Sequence, residues 1–257
     1  MPCDFQSRSR PAARAMAWGL AVALMSSLPG RAQTAAPPPS PGAPAAEQRI
    51  FIVADSLGEL VSAALKKELR NRAGTTVEAF ISLGSGLARN DLFDWPKKVR
   101  TVMATFKPTQ VVVILGGADN QKMMNGDERL AFGTPAWNAE YGRRVREIMD
   151  GIREGGARVA LWVGLPDVRD PSTNRELKII TGIFAEQAAA RPGFIYLDTT
   201  RLFSATPGQY SAYLIKKDGM PLAVRSTDGR HFNNAGAELL AQTIIARLNQ
   251  ESPPAAP

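Results

Sequence analysis

Thiols and imidazoles are almost missing from this sequence: of 257 residues, one is cysteine, Cys3, and one is histidine, His231. Protein zinc sites draw on several such side chains, so only scattered carboxylates remain, and neither a metal site nor another cofactor is expected. One cysteine excludes a disulfide within the chain. No G-x-x-x-x-G-K-[ST] stretch follows a strand-like run, which removes phosphate-loop nucleotide chemistry. No apolar run reaches the roughly 20 residues that a membrane-spanning helix needs. A basic stripe interleaved with aromatics is absent too. The formal charge is +7, but Arg8, Arg10, Arg14 and Arg31 against Asp4 supply three of those charges within the first 32 residues. Acids and bases alternate through the rest, so nucleic acid is not expected as a partner.

What the N-terminus does contain is an address. Basic residues ending at Arg14 lead into AMAWGLAVALM, an apolar run of about 11 residues, and then into Pro29-Gly30-Arg31-Ala32, whose small residues suit cleavage after Ala32. Residues 1–32 therefore read as a signal peptide, and the chain is expected to be exported, to the periplasm, with no integral span once the signal is removed. Residues 33–48 begin QTAAPPPSPGAPAA, where prolines without amide donors favour extended backbone, and read as a linker. The domain is expected over 49–250, with a short disordered tail at 251–257. Oligomeric state is not encoded in any pattern visible here.

Within the domain, apolar runs alternate with segments of helical period. Strands are expected near 49–54, 76–82, 110–115, 158–163 and 194–197, with helices near 57–72, 95–106, 135–154, 172–190 and 233–248. Runs such as VVVIL at 111–115 are apolar at every position, as strands covered on both faces are. The pattern predicts a three-layer α/β/α domain on a central parallel sheet, where ligands bind beyond the carboxyl ends of the strands.

At that end of the first strand stands Ala54-Asp55-Ser56-Leu57. Serine here would commonly cap the following helix. The alternative is a nucleophile, which needs a base, and the only imidazole, His231, lies three residues after Asp228. An imidazole can take a serine proton while a carboxylate holds its tautomer and stabilises the imidazolium.

These residues carry a resemblance to the SGNH, or GDSL-type, hydrolases. ADSL at 54–57 is similar to the first block of that superfamily, the Ser85-Gly86 turn to the second, LGGADNQ at 115–121 to the third and Asp228-x-x-His231 to the last. SGLARNDLFDWP at 85–96, LWVGLPDVRD at 161–170, and YSAYL followed by DGRHFNNAGAELLA further resemble an uncharacterised periplasmic branch of bacterial SGNH proteins. The resemblance implies a flavodoxin-like sheet, with Ser56 as nucleophile, His231 as general base and Asp228 as its orienting partner. It also implies oxyanion donors from the Ser56 and Gly86 amides and from a third-block asparagine. The chemistry implied is hydrolysis or transfer of an O-acyl group, plausible substrates being an acylated small molecule or O-acetyl on a cell-envelope glycan.

Two positions depart from the family pattern. Ala54 replaces the glycine of GDSL, a change that an extended strand end tolerates. The third block normally reads G-x-N-D. In the gap-free register Gly116-Gly117-Ala118-Asp119 the asparagine becomes Ala118; shifted by one, its place falls to Asp119, whose carboxylate would repel an oxyanion. Asn120 or Gln121 is then expected to supply the donor from the neighbouring turn, if any residue does. The competing reading is a catalytically impaired envelope- or glycan-binding module of the same fold. Weaker candidates are Asp91, which with Asp94 flanks Phe93 ahead of Trp95-Pro96, Asp167, Arg169 and Asp170 after the fourth strand, and Tyr210, Tyr213, Lys216 and Lys217 in the long 201–227 insertion, where functional loops of this length occur. Asp94 reads as a helix cap with Pro96 in the first turn.

Overall fold

The computed structural model describes residues 47–251. The expected signal peptide, nearly all of the linker and the tail beyond 251 lie outside these residues. Five strands form one parallel sheet: β1 (Gln48–Ala54), β2 (Thr75–Ile81), β3 (Gln110–Ile114), β6 (Val159–Val163) and β7 (Phe194–Leu197), in the order β2-β1-β3-β6-β7. Two short strand pairs lie outside the sheet: β4 (Met123–Asn125) with β5 (Glu128–Leu130), and β8 (Tyr213–Ile215) with β9 (Pro221–Ala223). The order 2-1-3 followed by the later strands is the flavodoxin-like one, a three-layer α/β/α arrangement.

Burial explains the apolar runs. Ile50–Ala54 of β1 and all of β3 and β6 are buried, whereas the edge strands β2 and β7 are only half covered. Five helices cover the sheet: α1 (Glu59–Leu69), α2 (Trp95–Thr105), α3 (Pro135–Glu154), α4 (Pro171–Ala189) and α5 (Asn234–Glu251). α1 packs on α5, while α3 packs between α2 and α4. Three of these helices start by one recipe: Asp94, Thr134 and Asp170 each accept a backbone amide at the N-cap, and a proline occupies the first turn where no donor is needed.

β1 begins at Gln48, inside the expected linker, and α5 continues to Glu251, one residue into the expected tail. Two antiparallel hairpins were not expected: β4 (Met123–Asn125) with β5 (Glu128–Leu130), and β8 (Tyr213–Ile215) with β9 (Pro221–Ala223). The second lies within the 201–227 insertion and leads directly into the loop that carries His231.

Candidate active site

The site begins with Asp55. At the end of β1 its amide donates to the Ile114 carbonyl at 3.0 Å, in register with β3. Its buried carboxylate receives the Leu57 amide on Oδ1 at 2.9 Å, and the Gly116 and Gly117 amides on Oδ2 at 2.8 and 2.9 Å. Burial pushes this carboxyl up to about 6, with the three amides pulling the other way. Asp55, not Ser56, therefore caps the 3₁₀ turn Ser56–Gly58 that precedes α1. The Ser56 hydroxyl is released from capping. Ala54 is extended strand without positive φ, so the extra methyl group is accommodated there.

The hydroxyl faces the imidazole. Ser56 Oγ lies 3.1 Å from His231 Nε2, and His231 Nδ1 lies 2.6 Å from Asp228 Oδ2. A carboxylate at Nδ1 selects the tautomer with its proton there, which leaves the Nε2 lone pair for the serine proton. Asp228 also accepts the Arg230 and His231 backbone amides on Oδ1, at 2.8 and 3.0 Å. Partial burial raises this carboxyl, but its amide and imidazole partners outweigh that effect and hold it at about 2. The turn is closed by Ser226 donating to the His231 carbonyl and by Gly229, at φ +74°, donating to the Ser226 carbonyl. A left-handed residue at that point is glycine's role.

Gly86 sits beside the third block in a space that no side chain could share: a Cβ there would lie 2.0 Å from Asp119 Oδ1. Asp119 is fully buried. Its carboxylate accepts the Leu87 amide at 2.8 Å, the Ala88 amide at 3.0 Å and the Tyr141 hydroxyl at 2.7 Å. Burial raises this carboxyl, opposed by those donors. A carboxylate engaged in this way is not open to an oxyanion, which favours the gap-free register with half-buried Ala118 at the asparagine position. Asn120 is not free to replace it, because its Nδ2 donates to Glu176 Oε2 at 2.7 Å and its Oδ1 accepts from Arg230 Nη2 at 3.3 Å. Gln121 turns back to the Ala118 carbonyl at 2.7 Å.

Several of the weaker candidates have partners in the scaffold. Asp94 and Asp170 cap helices; Asp91 pairs with Arg89. Asp167 holds Asn174 and the Gly208 amide, and Arg169 binds the Thr227 carbonyl at 2.9 Å beside the histidine turn. Tyr210 lies under the guanidinium groups of Arg169 and Arg225. Tyr213, Lys216 and Lys217 are exposed on the β8–β9 hairpin, where Lys216 pairs with Asp218.

Two features escaped the sequence reading. Arg144 of α3 is buried, pairs with Glu140 at 2.8 Å and donates to the Leu87 carbonyl at 2.7 Å, so the second-block turn is gripped from both its amide and its carbonyl. The Glu140–Arg144 spacing of four on a helix was the available signal. The other is a groove of about 450 Å³ lined by Ser56, His231 and the apolar side chains Leu57, Leu60, Leu83 and Phe232. Among the described residues no group of His, Cys, Asp and Glu could hold a metal, and no helix is long and apolar enough to cross a membrane.

Solved structures share this architecture. A GDSL-like lipase from Bacteroides ovatus ATCC 8483 is 12% identical, with a TM-score of 0.52, over 82% of this chain and 55% of its own. A family two carbohydrate esterase from Clostridium thermocellum, solved with cellohexaose, is 14% identical at a TM-score of 0.52, over 84% of this chain and 66% of its own. A carbohydrate esterase whose active site displays divergent catalytic and non-catalytic binding functions is 15% identical at 0.51, covering 82% of this chain and 68% of its own. This chain thus spans about half to two thirds of the length of those proteins. Identities this low establish the fold, which is that of the SGNH/GDSL-type hydrolases. No curated protein matches the chain. The model of one family covers residues 49–247, which takes in all of the sheet but Gln48, the five helices but for the last four residues of α5, and Ser56, Asp228 and His231, and the protein belongs to that family, described as protein of unknown function (DUF459).

Proposed function

We propose that the protein is an exported, periplasmic serine esterase that hydrolyses or transfers an O-acyl group, its substrate an acylated glycan of the cell envelope. The observation that carries this reading is the unbroken hydrogen-bonded chain from Ser56 Oγ through His231 to Asp228, at 3.1 and 2.6 Å. Ser56 Oγ attacks the acyl carbon as its proton passes to His231 Nε2. Asp228, held ionised, stabilises the imidazolium. Collapse of the tetrahedral intermediate expels the alcohol, which takes the proton from Nε2, and water or an acceptor hydroxyl then repeats the steps on the acyl-enzyme. The Ser56 and Gly86 amides face the oxyanion. Esterase and lipase neighbours in fold support ester chemistry, and the carbohydrate esterases among them support a glycan.

A second reading, a glycan-binding module of the same fold, draws on Ala118, which offers no side-chain donor. Loss of one such donor costs about 10²–10³ in rate, or roughly 2.7–4 kcal/mol, which slows an esterase without stopping it. The test uses the mature protein beside Ser56→Ala. A fluorophosphonate probe is expected to label the wild type alone, and an aryl acetate to be hydrolysed by the wild type alone. Equal behaviour of the two proteins leaves only the binding module.

A further inference from the structure

We infer that the groove beside Ser56 receives the acyl chain of the substrate, and that the preferred acyl group is longer than acetyl, of butanoyl to hexanoyl length. The inference rests on the esterase reading and deepens it. Two large apolar side chains stand exposed within reach of the nucleophile: Leu60 of α1, 39% exposed, and Leu83 of the turn after β2, 62% exposed. Buried Leu57 and Phe232 complete the apolar part of the lining, and the remainder is polar: Ser56 and His231 themselves with Asp228, Ser226 and the exposed Glu59. Whatever fills this groove is therefore in contact with the reacting atoms. At about 450 Å³ the groove is far larger than a single methyl group requires, one water occupying about 30 Å³ in the liquid.

The two halves of an ester need different surroundings. The apolar wall draws Leu83 from the turn after β2, Leu60 from α1, Leu57 from the turn before α1 and Phe232 from the histidine turn. On the β3–β6 side the opposite character prevails: Asn120 follows β3, Glu176 belongs to α4, and Arg230 reaches from the histidine turn to join them. Arg230 Nε is enclosed there without a hydrogen-bond partner among the described residues. Polar groups rich in donors and acceptors suit a hydroxylated alcohol, and apolar walls suit a hydrocarbon tail. An acyl chain on the leucine side and a sugar on the Arg230 side satisfy both.

Ester hydrolysis by wild type, Leu60→Ser and Leu83→Ser is measured with 4-nitrophenyl acetate, butanoate and hexanoate, whose leaving group is constant. For the wild type kcat/KM is expected to rise about two- to fourfold for each added methylene, fourfold corresponding to complete burial. The hexanoate-to-acetate ratio falls at least about fivefold in each serine variant. A wild-type ratio at or below one overturns the acyl groove and leaves the esterase reading standing. A second measurement does not need turnover: Ser56→Ala is titrated with N-hexanoylglucosamine and N-acetylglucosamine, whose amides persist. Tighter binding of the hexanoyl ligand, lost in Ser56→Ala/Leu83→Ser, supports the groove even if Ser56 proves unreactive to the fluorophosphonate. Equal affinities overturn it.

Discussion

Ser56 and Asp55 divide two tasks that a single serine often combines. A serine ahead of a helix commonly spends its oxygen on a backbone amide. Here the aspartate one position earlier takes the capping bond, and the serine hydroxyl turns to His231. The sequence showed both side chains but not which would cap, because the choice depends on Gly116 and Gly117 arriving from β3 to complete the aspartate's set of donors. The Asp228-x-x-His231 spacing was more legible, since a three-residue turn brings both groups together without help from distant elements. Ala118 was legible as a departure, and the burial of Asp119 against the second-block turn favours the gap-free register. Restoring the amide is the direct test of that position. Ala118→Asn is expected to raise kcat for an aryl acetate by about tenfold or more, within the 10²–10³ that one oxyanion donor supplies, with a smaller effect on KM. Steady-state kinetics with both proteins decides it, and an unchanged or lower kcat removes Ala118 from the oxyanion site.

At the scale of elements, the long helices and buried strands could be read from sequence because their signals are local. Asp94, Thr134 and Asp170 each precede a proline-containing first turn, and β6 is apolar throughout, as are β1 from Ile50 and β3 from Val111. The hairpins β4–β5 and β8–β9 escaped because strands of three residues are too short to show alternation. Also unreadable was the clamp on the second-block turn, which joins three separate elements: Asp119 after β3, Tyr141 and Arg144 on α3, and the Leu87–Ala88 backbone. Gly86 is where this clamp tolerates least. An added methyl group would meet Asp119 Oδ1 at 2.0 Å and Cγ at 2.7 Å, on a carboxylate that three donors hold in place. Gly86→Ala is expected to destabilise the fold by about 2 kcal/mol, seen as a fall of about 4–8 °C in Tm, because a packed site must open to admit it. It also lowers kcat as the amide at 86 shifts. Calorimetry beside kinetics checks both, and an unaltered Tm means that the turn is looser than the clamp implies.

For the whole molecule, the sheet order explains why the site lies where it does. β1 runs between β2 and β3, so its carboxyl end meets the second block on one side and the third on the other, and α5 brings the His231 turn over the same edge. The joint at this crossing is a buried carboxylate, and it carries an energetic cost that varies with pH. Asp55 is raised by burial from 3.8 to about 6. Between these values the folded protein holds a proton that the unfolded chain has released, so stability falls as pH rises through this window and the full cost applies above about pH 6. The difference corresponds to about 3 kcal/mol. Asp55→Asn removes the titration while sacrificing acceptor capacity toward Leu57, Gly116 and Gly117. The variant is therefore expected to be less stable than wild type at pH 4, with the gap shifting by about 2.4 kcal/mol in its favour by pH 7. Urea unfolding of both proteins at pH 4, 5, 6 and 7 measures that gap directly, and all other carboxylates cancel in the comparison. A gap that stays constant across the series means that Asp55 is ionised throughout, its three amides compensating fully for the loss of water.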